Sequence, residues 1–306
     1  MSESLASILE SLYFPLRALS IKSDQTRYQY RLALRDFGRF LGHDPTPADL
    51  TNDNLTLWQA AMIGGDKARG IEKVATITVK ERAGRIGTLW TWMAKRRMVD
   101  CFPTFEKPRP PETCPYALSP EQLRAFFASA GRERGLIDGI PAWLWCTSYF
   151  AFVFNTGERK TAALSVRVEW IDLASKACVV PPVVRKGGLK WGRYTLWDET
   201  IPLLQACMHV NPKRELMWPF SKCEGSYYTM YNRILRDAGL PVNRHSKTHC
   251  LRVSFATWTK VFGGDPTQAL GHSDTGTFIK SYNDVRYTGQ QQPKLFIPWQ
   301  PAEERS

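Results

Sequence analysis

The hydrophobic positions of the chain fall into helical stretches, then a short alternating region, then helices again. After Ser23-Asp24, the residues Tyr28, Leu32, Leu34, Phe37, Phe40 and Leu41 recur at roughly helical spacing and stop at Gly42. A capped start and a terminal glycine predict one amphipathic helix there. Pro45 and Pro47 predict a turn. A second helix is predicted from Thr51 or Asp53 through Leu57 and Ala61 to Gly64-Gly65. A third begins near Thr76 with Ile77, Ile86, Leu89, Trp90 and Met93 as its apolar face, while Lys80, Arg82, Arg85, Lys95, Arg96 and Arg97 lie around it. The apolar start around Leu5–Leu19 contains Glu10 and Pro15 and no basic leader, so it predicts an N-terminal helix or extension, not a signal peptide.

Between Pro103 and Pro115 the sequence PTFEKPRPPETCP carries five prolines among charges. Such a stretch cannot hold a helix and predicts a semi-extended linker between domains. The predicted organisation is an N-terminal extension (1–20), a helical domain (21–102), a proline-rich linker (103–117) and a second domain with its C-terminal tail (118–306). The second domain opens on Ser119-Pro-Glu-Gln, a capping signal with proline at the first helical position. An apolar helix over about Trp143 to Phe154 is broken by Asn155-Thr-Gly157, and a short helix carrying Arg159 follows. Val168–Leu173, Ala177–Val180 and Arg193–Trp197 read as three short strands, with Arg185-Lys-Gly-Gly188 connecting the last two. Helices resume at about Glu199–His209 and Ser226–Ala238, and a further one follows Thr248, a predicted cap. The fold class predicted is mainly α with a small antiparallel sheet (α+β).

Composition narrows the function. With 306 residues, 43% hydrophobic content and 11 Trp, the chain can fill two cores. No apolar run reaches the ~18 residues that span a bilayer. Seven scattered Cys without a CxxC pair predict reduced thiols in a cytoplasmic protein and no zinc site. Net charge is +12, and the first 112 residues and the remainder are each net positive. Two basic modules predict a polyanionic partner, most simply nucleic acid gripped by both.

Several polar residues stand where chemistry could be done. His249-Cys-Leu-Arg252 places an imidazole and a guanidinium three residues apart, on one face of a helix. The pair suits a phosphate, with Arg giving bidentate contact and His moving a proton. Asp265-Pro-Thr-Gln-Ala-Leu-Gly271 reads as a one- to two-turn helix. His272 follows its end, and a restarted helix carries Tyr282. That break lets His272 and Tyr282 meet at one point, which a single helix would forbid. Arg159 follows the break in Thr156-Gly-Glu-Arg, and Lys186 sits at a glycine-rich hairpin tip. Taken singly, these residues also read as an ion pair, a turn lysine, a capping histidine and a packing tyrosine.

Taken in order, TGERKTAAL, a lysine in a β-hairpin, HCLR and LGHSDTGTFIKSY resemble the tyrosine recombinase, or phage integrase, family over nearly the whole chain. The resemblance implies a helical core-binding domain and a catalytic domain acting on double-stranded DNA. It implies Tyr282 as the nucleophile, Arg159 and Arg252 on the non-bridging oxygens, and His249 as base or proton acceptor. His272 would be a further donor to the phosphate and Lys186 the acid for the leaving 5′ oxygen. No cofactor and no metal are implied. A homotetramer on paired DNA sites, docked through the segment after Tyr282 (293–299), and a cytoplasmic, nucleoid-associated location follow by the same analogy. Two departures stand out. Ala162 occupies a position that is acidic in the family, with Glu158 nearby but predicted to point elsewhere. Lys190 is an alternative to Lys186. Type IB topoisomerase chemistry is a related reading. A DNA-binding protein on an inactive recombinase scaffold is the rival from another class.

Overall fold

The computed structural model describes residues 3–210, 212–243, 245–271 and 275–289. The chain divides into two compact units, Met1–Glu112 and Thr113–Ser306.

The first unit is built on α1 (Asp24–Leu41), α2 (Asn52–Gly64) and α3 (Thr76–Ala94). Gly42 ends α1 with φ +80°, a left-handed conformation that glycine adopts without steric penalty. The Thr51 hydroxyl accepts from the Asn54 backbone N–H and caps α2. Phe37, Trp58, Trp90 and Met93 fill the core between the three helices. The first 20 residues, expected as an extension, contribute to that same core. Residues 5–16 are helical, with a π turn over Leu9–Tyr13, and bury Leu5, Ile8, Leu9, Tyr13 and Phe14. Those apolar residues recur at three- to four-residue spacing, so one stripe faces inward and the segment stays with the unit.

The second unit begins with α4 (Pro120–Ala130). The Ser119 hydroxyl accepts from Gln122 N–H while the Gln122 side chain accepts from Ser119 N–H, a reciprocal capping box. A two-stranded hairpin, β1 (Leu136–Ile137) and β2 (Ile140–Pro141), leads into α5 (Ala142–Thr156). That helix is apolar nearly all round and runs through the core, burying Trp145, Tyr149, Phe152 and Val153. After it come α6 (Lys160–Leu164) and an antiparallel sheet, β3 (Ile171–Asp172), β4 (Ala177–Val180) and β5 (Gly192–Thr195), with β4 in the middle. The first predicted strand is shortened because Val168–Trp170 forms a 3-10 turn. Helices α7 (Ile201–Val210), α8 (Glu224–Asp237) and α9 (His249–Val261) complete the body. Three short helices follow, α10 (Pro266–Ala269), α11 (Thr275–Tyr282) and α12 (Val285–Thr288), and all pack on α9. Val253, Phe255, Ala256, Leu270, Phe278 and Tyr282 form a smaller core there with Ala117. No helix among the described residues is long and apolar enough to cross a membrane.

Candidate active site

The site forms where the end of α5, the β4–β5 connection, the start of α9 and the end of α11 meet. Its geometry depends first on Gly157, which closes α5 with φ +61°. A Cβ at that position would lie 2.4 Å from Phe255 Cδ1 and 2.7 Å from Leu270 Cδ2. Only glycine satisfies both the backbone conformation and the space. The chain can then turn sharply, and Arg159 becomes the N-cap residue of α6.

Arg252 reaches the same turn from α9. The residue is 1% exposed, and its guanidinium donates through Nη1 to the Gly157 carbonyl. It is also hydrogen-bonded to the Tyr282 side chain, and its Cζ lies 5.1 Å from the centre of that ring. His249, one turn earlier on α9, has its ring centroid 5.3 Å from that of Tyr282. The imidazole pKa is pushed down to about 4, by burial first and then by the charges of Arg252, Arg159 and Lys186. Its outer edge remains open to water. Crowding among like charges acts on Arg252 as well: burial lowers its pKa most, and Arg159 adds to the effect.

Tyr282 is 4% exposed and closes α11. Its carbonyl accepts from Thr257 Oγ1 at 3.0 Å, and that same hydroxyl accepts from Asp284 N–H at 3.3 Å. Asp284, fully buried, accepts from Ala117 N–H at 2.7 Å and from Arg286 Nε at 2.9 Å. Arg286 Nη2 in turn donates to the Ala117 carbonyl at 3.1 Å. The segment bearing Tyr282 is therefore fastened to its own chain on both sides, at α9 and at the start of the unit.

Lys186 is exposed in the β4–β5 connection, beside Gly187 and Gly188 at φ +91° and +64°. Of the two candidate lysines, Lys186 bears on the His249 charge, whereas the Lys190 carbonyl accepts from Arg185 Nη1 at 3.1 Å. Five predicted residues, Arg159, Lys186, His249, Arg252 and Tyr282, thus share one electrostatic neighbourhood. His272 and the predicted docking segment (293–299) lie outside the described residues.

Glu158 corrects an expectation. It does not point away: its side chain is 0% exposed, one Oε accepts from Arg159 N–H at 2.9 Å, and the other accepts from Arg185 Nε at 2.8 Å and from the Tyr194 hydroxyl. Arg185 Nη2 also donates to the Tyr194 oxygen at 3.1 Å. Ala162, at the position expected to be acidic, is buried. Thr248 supplies another correction, since its side chain does not cap α9 but bonds to the Tyr227 hydroxyl at 3.0 Å. Arg185, Tyr194, Thr257 and Asp284 were not singled out from the sequence. The one available signal was a glutamate directly before Arg159 and an arginine directly before Lys186.

No family model matches the chain, and no curated protein does either. Solved structures do. XerH site-specific recombinase bound to a palindromic difH substrate, in a post-cleavage complex, superposes with a TM-score of 0.69 at 18% identity, over 93% of this chain and 82% of that one. The Tn1549 transposon integrase in complex with a circular intermediate DNA gives 0.71 at 11% identity, over 93% and 98%. A lambda integrase dimer bound to a COC′ core site gives 0.70 at 16% identity, over 97% and 81%. The fold of this chain is that of the tyrosine recombinases and integrases.

Proposed function

We propose that the protein is a site-specific DNA recombinase or integrase that cuts and rejoins DNA through a 3′-phosphotyrosyl intermediate. The observation that carries this reading is the hydrogen bond from Arg252 to Tyr282, with the His249 ring beside them. A phenol, an imidazole and guanidinium groups in one pocket can carry out phosphoryl transfer without a bound metal.

In the proposed reaction Tyr282 Oη attacks a backbone phosphorus and gives its proton to His249, which is neutral and able to accept it. Arg159 and Arg252 hold the non-bridging oxygens, where charge builds in the transition state. His272 adds a hydrogen bond to the same phosphate. The bond from phosphorus to the 5′ oxygen breaks, and Lys186 gives that oxygen its proton. A 5′ hydroxyl of another strand then attacks the phosphotyrosine, the phenol regains its proton, and a new phosphodiester forms. One ester replaces another throughout, so no nucleotide cofactor is consumed. The DNA-bound state of all three neighbours described above supports double-stranded DNA as the partner. A tetramer on paired sites, in a cytoplasmic, nucleoid-associated setting, completes the proposal.

The test is covalent trapping. Wild type is incubated with a pool of nicked suicide duplexes of randomised sequence, and denaturant-resistant protein–DNA adducts are collected. An adduct formed by wild type and absent from Tyr282→Phe supports the reading. Retardation of DNA by both proteins without any adduct would instead favour a binding protein on an inactive scaffold, the alternative that the apolar Ala162 suggests.

A further inference from the structure

The chain has a buried ion pair that the proposed reaction does not use. The side chains of Glu158 and Arg185 are 0% and 8% exposed, and their Oε2–Nε distance is 2.8 Å. Arg185 spends every nitrogen locally: Nε on Glu158, Nη1 on the Lys190 carbonyl at 3.1 Å and Nη2 on the Tyr194 hydroxyl at 3.1 Å. At 8% exposure and with each nitrogen engaged, it has little surface left to offer a DNA phosphate. Glu158 is equally committed, to Arg159 N–H, Arg185 and Tyr194. Desolvating two charges is costly, and hydrophobic packing would usually serve stability as well or better. The pair is best understood by what it ties together.

Its bonds join three pieces of the active site. Glu158 grips the main chain of Arg159. Arg185 precedes Lys186 directly and closes the β4–β5 connection by bonding the Lys190 carbonyl on its returning leg. Tyr194 belongs to β5, whose end is held separately by Asn155: its Nδ2 donates to the Thr195 carbonyl at 3.0 Å and its Oδ1 accepts from Trp197 N–H at 2.8 Å. Arg185 Nη2 also lies 3.9 Å from where a Cβ on Gly271 would stand, beside the turn that leads to His272. Lys186 itself is exposed, next to two glycines in left-handed conformations. An exposed lysine has many rotamers open to it, and a proton donor works only when held within hydrogen-bond reach of its acceptor.

Resting on the recombinase reading above, we infer that Glu158, Arg185 and Tyr194 are positioning residues. They form an anchored base from which Lys186 is presented to the leaving 5′ oxygen, in register with Arg159. An acid at position 162 would have to act from α6. Here the carboxylate comes from the turn itself and reaches the hairpin directly.

The test separates proton delivery from general damage by changing the leaving group. In a duplex whose bridging 5′ oxygen at the cut site is replaced by sulfur, the departing thiolate needs no acid. The duplex sequence is one that wild type traps covalently. Arg185→Ala should cleave the oxygen duplex about tenfold or more slowly than wild type, yet cleave the sulfur duplex within about threefold of it. Lys186→Ala should show the same contrast, and Arg159→Ala should be slow on both. Arg185→Lys, which keeps the charge but cannot make three bonds in this fork, should not restore the rate. If Arg185→Ala does not fold, Tyr194→Phe and Glu158→Gln serve instead, with the same contrast expected at about threefold or more. Equal losses on both duplexes, or no loss on either, overturn the inference. A wild-type adduct with unaltered variants overturns the clamp alone. No adduct from wild type on any duplex overturns the recombinase reading and the clamp's role together.

Discussion

The rings of His249 and Tyr282 lie 5.3 Å apart, their planes tilted by 49°, with the Arg252 guanidinium against the same phenol. The cation lies against the phenol ring, and a neutral imidazole nearby can accept a proton. The His249–Tyr282 pairing therefore has a consequence for pH.

The His249 pKa of about 4 lies below the ordinary value near 6.5. The unfolded chain takes up a proton that the folded chain refuses. The stability tied to this group is fully present above about pH 6.5 and is lost as pH falls towards 4. Because one edge of the ring is open to water, screening limits the effect to about 1–2 kcal/mol. Titration of the imidazole by NMR in the DNA-free protein should give a midpoint well below 6, and a midpoint near 6.5 would contradict the crowding of charges described above.

Since the Tyr282 segment is fastened to Thr257 and Ala117 of its own chain, cleavage should occur in cis. Mixing Tyr282→Phe with Arg252→Ala protein should yield no adduct above the background of either alone. Recovery of a substantial part of wild-type trapping would mean that the tyrosine is donated to another copy.

Gly157→Ala should destabilise the protein by roughly 2–4 kcal/mol. A left-handed alanine costs about 1 kcal/mol, and crowding Phe255 and Leu270 adds about 1–3 kcal/mol. Chemical denaturation would measure the loss. A change under 1 kcal/mol would show that the turn can relax around the new methyl group.

In the first unit, Arg27 lies over Phe14 of the N-terminal segment at 5.6 Å and Arg85 over Tyr30 of α1 at 5.6 Å. If these cations meet phosphates, log affinity for random duplex DNA should fall linearly with log salt. Arg27→Ala and Arg85→Ala should each lower the slope by about 1. Unchanged slopes would place the DNA on another face.

The sequence foreshadowed whatever its local chemistry controls. Gly42 ended a helix, Ser119 and Gln122 announced a capping box, and the three-residue step from His249 to Arg252 set one helix face. Features that depend on distant partners were hidden. Glu158 and Arg185 are 27 residues apart, so nothing near either shows that they pair. The first strand lost its start to a 3-10 turn because alternation over Val168–Leu173 does not distinguish the two. The first 20 residues looked detached because their helical stripe is short, and only the aromatic contacts with Tyr30 and Trp92 reveal where it packs.

Arg252 bonds the Gly157 carbonyl two residues ahead of Arg159, and the Arg159 charge already weighs on the Arg252 guanidinium before any ligand arrives. Their mutual repulsion is already built into the empty protein, and an anion relieves it. Thermal resistance and catalytic readiness should therefore pull in opposite directions at this spot. Neutralising the less buried Arg159 ought to raise the melting temperature of the unliganded chain while disabling it, and inorganic sulfate ought to protect the native protein more than the neutralised one.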